Sequence, residues 1–114
     1  MRWVFLAAIV AGLATGAQAQ TELRDLGCAG ESSLRSTDES KVTEVIFFNQ
    51  SPAPIRTYWL DHRGHRIFGS EIRPGDSYVQ QTYVTHPWVV TKGAAKACMA
   101  IYQPEASSAI VVVR

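Results

Sequence analysis

Between Gln81 and Trp88 the sequence brings a hydroxyl, a phenol, an imidazole and an indole close together, in the run Gln81-Thr82-Tyr83-Val84-Thr85-His86-Pro87-Trp88. An earlier run, Tyr58-Trp59-Leu60-Asp61, adds a second indole. Two tryptophans with neighbouring tyrosines make flat apolar walls that suit a proline-like ring, and Thr82 with His86 offers hydrogen bonds to a hydroxyl on such a ring. This is binding chemistry. The same residues also read as core aromatics around a satisfied structural histidine, and that alternative stays open.

Catalytic patterns are scarce. The chain has no G-x-S-x-G elbow, no H-E-x-x-H helix and no phosphate loop. Thr82 with His86 comes nearest to a nucleophile and base, but a threonine inside a chain is a poor nucleophile without strong activation. A small hydrolase using His86 is therefore the weakest of three functional readings, and no enzyme is expected. His62-x-x-His65 beside Asp61 offers metal-ligating atoms, yet a zinc site needs three or four placed ligands and a polar turn around Gly64 accounts for the same residues. Neither a metal nor any other cofactor is expected.

The elements that must position these groups are strands. Beyond Lys41, β-branched and aromatic runs recur roughly every ten residues between turn signals such as Ser51-Pro52-Ala53-Pro54, Asp61-His62-Arg63-Gly64 and Arg73-Pro74-Gly75-Asp76. The spacing predicts an all-β sandwich of seven strands: Val42 to Asn49, Ile55 to Asp61, His65 to Ile72, Ser77 to Tyr83, His86 to Thr91, Ala97 to Tyr102 and Ala109 to Arg114. Strand alternation puts Tyr78, Gln80 and Thr82 on one face, and His86, Trp88 and Val90 on one face of the next strand. The apolar run Ala109 to Val113 does not alternate, so it is expected to be buried on both faces or covered by the lead-in. Residues 20–40 are polar and glycine-containing, and read as an irregular lead-in to a sandwich over 41–114.

Met1-Arg2, the apolar stretch Trp3 to Leu13 and the A-x-A signal Ala17-Gln18-Ala19 predict a signal peptide over 1–19. The mature protein is then secreted or periplasmic, with no membrane attachment after cleavage. Its positive and negative side chains balance once Arg2 is removed, which argues against attraction to nucleic acid or anionic lipid. With 46% hydrophobic and 18% charged residues the chain should fold, although so small a domain has little stability to spare. Cys28 and Cys98 are the only cysteines, and in an oxidising compartment they predict one intramolecular disulfide.

The residues Leu34-Arg35-Ser36, Val45-Ile46-Phe47-Phe48-Asn49-Gln50-Ser51-Pro52, Trp59-Leu60-Asp61, Gly64, Pro74-Gly75 and Thr82-Tyr83-Val84-Thr85-His86-Pro87-Trp88 recur in order and spacing in a known family. Over roughly Leu34 to Tyr102 the chain resembles the von Hippel-Lindau β domain, the substrate-recognition module of a ubiquitin ligase. The resemblance implies a seven-stranded β-sandwich that binds 4-hydroxyproline in an extended peptide. It makes Trp59 the pocket floor, Trp88 and Tyr83 walls or peptide contacts, and Thr82 and His86 the pair that hydrogen-bonds the hydroxyl. Thr82 stands for a serine of the family and Gln81 for a histidine that contacts the peptide backbone. The family's pocket tyrosine falls near Phe68-Gly69, where Phe68 can replace its ring but not its hydroxyl. The family's adaptor-docking helical domain has no counterpart before Arg114, so ubiquitin-ligase adaptors are not expected as partners. The leading expectation is a non-catalytic module for a protein or peptide ligand, with a structural or interaction domain as the alternative.

Overall fold

The computed structural model describes residues 20–114, so the expected signal segment lies outside the described residues. Among the described residues eight strands form: β1 (Thr21–Glu22), β2 (Val42–Asn49), β3 (Ile55–Leu60), β4 (Arg66–Ile72), β5 (Ser77–Tyr83), β6 (Trp88–Lys92), β7 (Cys98–Tyr102) and β8 (Ala109–Val113). They build two four-stranded sheets, one ordered β1-β8-β2-β5 and the other β4-β3-β6-β7. The all-β sandwich stands, with one strand more than expected.

Alternation explains which face is buried. Thr43, Val45, Phe47 and Asn49 of β2 point inward, as do Ala109, Val111 and Val113 of β8, while the residues between them are half-buried. β8 therefore buries one face fully and the other only in part. From the second sheet, Ile55, Ile72, Trp88, Val90, Ala100 and Tyr102 complete the core. Enclosure holds the Tyr102 phenol above its ordinary pKa, mainly because the phenolate would lose its hydration and secondarily because Asp25 and Glu22 are near.

The extra strand corrects the reading of residues 20–40 as irregular. Thr21 and Glu22 run parallel to β8, because the next residue, Leu23, is buried in the main core and draws the chain alongside. No β-branched run marks this dipeptide in the sequence, and tertiary burial makes it a strand. The lead-in then crosses to the outer face of the second sheet. There the Leu26 N–H donates to the Ile101 carbonyl at 2.8 Å, and the Asp25 carboxylate accepts the Ile101 N–H at 3.1 Å.

On that outer face Leu60, Val89 and Ile101 form a smaller cluster, covered by Cys28, Leu34, Tyr58 and Cys98. The expected disulfide joins Cys28 to Cys98, 70 positions apart. Glu31, in a single 3-10 turn (Glu31–Ser33), forms a two-point pair with Arg66 of β4 at 2.7 and 2.8 Å. The guanidinium hydrogen bonds hold the Glu31 carboxyl below its ordinary pKa. No helix among the described residues is long and apolar enough to cross a membrane.

Candidate functional site

Trp59 on β3 and Trp88 on β6 are direct cross-strand partners, so both indoles project from the inner face of one sheet at the same end of the sandwich. They differ in what surrounds them. Trp88 is only 5% exposed and meets the Phe47 ring edge-on, whereas Trp59 is half-buried at the rim of the core. The Trp88 indole N–H donates to the Thr82 hydroxyl oxygen at 2.9 Å, and the Trp59 indole N–H donates to the Ser36 hydroxyl oxygen at 2.7 Å. Ser36 is itself buried, and its hydroxyl donates a hydrogen bond to the Leu60 carbonyl.

His86 lies in the arch that carries the chain from β5 in one sheet to β6 in the other. It is buried, stacked on Trp59 at 5.2 Å and tilted against Tyr83 at 5.0 Å. Its Nε2 lies 3.1 Å from the Asp38 carbonyl oxygen and 3.2 Å from the Glu39 carboxylate, and both partners can only accept, so Nε2 carries the proton. The chain between the 3-10 turn and β2 is held against this arch by Thr85, whose hydroxyl donates to the Asp38 carbonyl and accepts the Asp38 N–H. The Ser40 backbone N–H and then its hydroxyl bind the Asp38 carboxylate and hold it below its ordinary pKa.

Trp59, Thr82, Tyr83, His86 and Trp88 thus gather at one end of the molecule. Thr82 and His86 are not hydrogen-bonded to each other, and each has its own protein partner. Phe68 and Gln81 do not join them. Phe68 pairs with Tyr58 across a bulge between Thr57 and Tyr58, lies 55% exposed on the outer face and packs edge-on against the Tyr58 ring. Gln81 faces away from Thr82 and donates to the Glu44 carboxylate at 3.0 Å. The expectation that Phe68 supplies a pocket ring is therefore corrected. Neither can Gly69 hold a larger side chain there, since a Cβ would sit 2.7 Å from the Trp88 ring and 2.8 Å from the Thr57 hydroxyl.

The model of the VHL beta domain family matches residues 34–108. The chain belongs to that family. It is a family of non-enzymatic domains that bind protein or peptide ligands. Comparison with curated proteins gives no match.

Residues that the sequence reading did not place with the indoles complete this end of the VHL beta domain: Ser36 bonds to Trp59, and Glu39 and His62 lie beside His86. Ser36 and Glu39 come from the lead-in, and His62 comes from the β3–β4 turn rather than from a His62-x-x-His65 pair. Asp61 builds that turn: its carboxylate accepts the His65 and Arg63 N–H groups at 2.9 and 2.8 Å, which lowers its pKa, the His65 bond contributing most. Ser36 stands within the matched family segment, which was the one available signal for it. Glu39 carries no local signal. A separate groove of about 190 Å³, lined by Pro52, Ile55, Lys92, Met99 and Arg114 among others, opens elsewhere.

Proposed function

We propose that this VHL beta domain is a non-catalytic, secreted or periplasmic module that holds an extended peptide along the free edge of β5 and lodges a prolyl or hydroxyprolyl ring against Trp59. One observation carries the reading. β5 bonds only to β2, so its other edge is open, and the strand ends at Thr82 and Tyr83 beside the indole and imidazole cluster. An added strand would take main-chain hydrogen bonds from that edge, while exposed Tyr78 and Val79 offer side-chain contacts.

The division of labour between the indoles follows from burial. Trp59 is at the rim and meets the ring; Trp88, deep in the core, supports Thr82 from below. Because the Thr82 oxygen accepts from Trp88, its own proton is free for a ligand hydroxyl. Unmodified proline would leave such a buried donor unsatisfied, at about 1–3 kcal/mol, which corresponds to discrimination of about 5- to 160-fold. The enclosure of Trp88 favours the second reading, a structural or interaction domain, for that residue alone. The lack of a hydrogen bond between Thr82 and His86 weighs against a hydrolase.

Calorimetric titration of one peptide in proline and 4-hydroxyproline forms tests the proposal. Tighter binding of the hydroxylated form, lost in a folded Trp59→Ala variant, supports it. Equal affinities remove hydroxyl recognition but keep ring binding, and loss of neither form in Trp59→Ala removes the site.

A further inference from the structure

We propose that Glu39, His62 and His86 form a binding site for a divalent transition metal of the zinc class. One ligand atom from each residue lies within 4.8 Å of the others. The His62 and His86 Nε2 atoms converge on the same Glu39 oxygen, at 2.6 and 3.2 Å. Zinc bonds of about 2.0–2.1 Å in tetrahedral arrangement set ligand atoms roughly 3.3 Å apart, a separation comparable to that of these three groups. Two imidazoles and one carboxylate favour zinc or copper over calcium or magnesium, which take oxygen ligands.

A second observation separates this cluster from a chance surface meeting of polar groups. The His86 side chain is only 7% exposed, and its ring is held by the Trp59 stack with Nε2 directed between Glu39 and the Asp38 carbonyl, whose hydrogen bond a bound ion would displace. His62 is oriented too, edge-on to Trp59 at 6.0 Å and to His86 at 5.6 Å. Among the described residues, Glu39 has ion-pair contacts with these two imidazoles alone, so no lysine or arginine neutralises it.

Binding replaces shared protons by the cation. The Nε2 proton of each imidazole leaves to solvent, the ring retains or gains its proton at Nδ1, and the Nε2 lone pair binds the metal. Glu39 and His62 are about half exposed, at 48% and 46%, so water can reach a fourth position. An ion here would tie together the lead-in, the β3–β4 turn and the β5–β6 arch. The site shares Trp59 with the proposed peptide site, but its ligands are in place whether or not β5 takes a strand.

The test is calorimetric titration of zinc into the chelator-treated, disulfide-bonded protein without a histidine tag, with thermal unfolding as a second readout. One equivalent is expected, with a Tm that rises with zinc concentration. His62→Ala and Glu39→Gln, both at accessible positions, should each weaken binding by at least about tenfold and abolish the Tm rise. His65→Ala, outside the cluster, should do neither. Absence of stoichiometric binding, equal weakening by His65→Ala, or equal binding of calcium would overturn the site.

Discussion

The Trp88 indole N–H and the Thr82 hydroxyl meet at 2.9 Å across the interior, joining the end of one sheet's edge strand to the start of an inner strand of the other. Both residues are buried, at 5% and 6% exposure, so the bond is largely shielded from solvent. Thr82→Val keeps the shape and removes the acceptor, which should cost about 1–3 kcal/mol in urea unfolding. Thr82→Ser should recover most of that loss. Equal stability of all three proteins would show that the bond contributes nothing.

Gly69 is expected to tolerate no side chain. Its absent Cβ leaves the room that the Trp88 ring and Thr57 occupy, so Gly69→Ala should destabilise by about 1–3 kcal/mol and perturb Trp88 fluorescence. A variant with unchanged emission and midpoint would contradict the packing described.

The Cys28–Cys98 bridge closes a loop of 70 positions around most of the domain. On a chain-entropy argument its removal should cost about 4 kcal/mol. Denaturation of the oxidised and reduced protein measures this, and the Cys28→Ser, Cys98→Ser double variant separates the bond from the reagent. A midpoint insensitive to reductant would be inconsistent with this role.

Acid sensitivity should come in part from Glu31. Arg66 lowers its folded pKa below the unfolded value, so its stabilisation is complete above the ordinary carboxylate range and is lost as pH falls through the depressed folded value. The stability difference between the native protein and Glu31→Gln should therefore be present near neutrality and shrink below about pH 4. A difference that grows on acidification would contradict the pairing.

Removing each indole should give different outcomes. Trp88→Ala empties a core position and should cost about 3–5 kcal/mol. Trp59, at the rim, should cost less and leave a folded protein, as far-UV circular dichroism and urea midpoints can establish.

The strands were legible because alternation is a local property: Val42 to Asn49 and Ser77 to Tyr83 can be read from residue types alone, and form over those limits. Cysteine count sufficed for the disulfide, and ordered motif spacing for the family. Phe68 shows where local reading stops. Alternation from buried Ser70 would turn it inward, but Gly69 is left out of the pairing at the bulge, and that one extra residue reverses the phase and sends the ring outward. The meeting of Glu39, His62 and His86 lay further out of reach, since three loops far apart in sequence converge only when two sheets stack and the lead-in is drawn across their end. Periodicity within a strand is written in neighbouring residues; proximity between loops is set by the packing of whole layers.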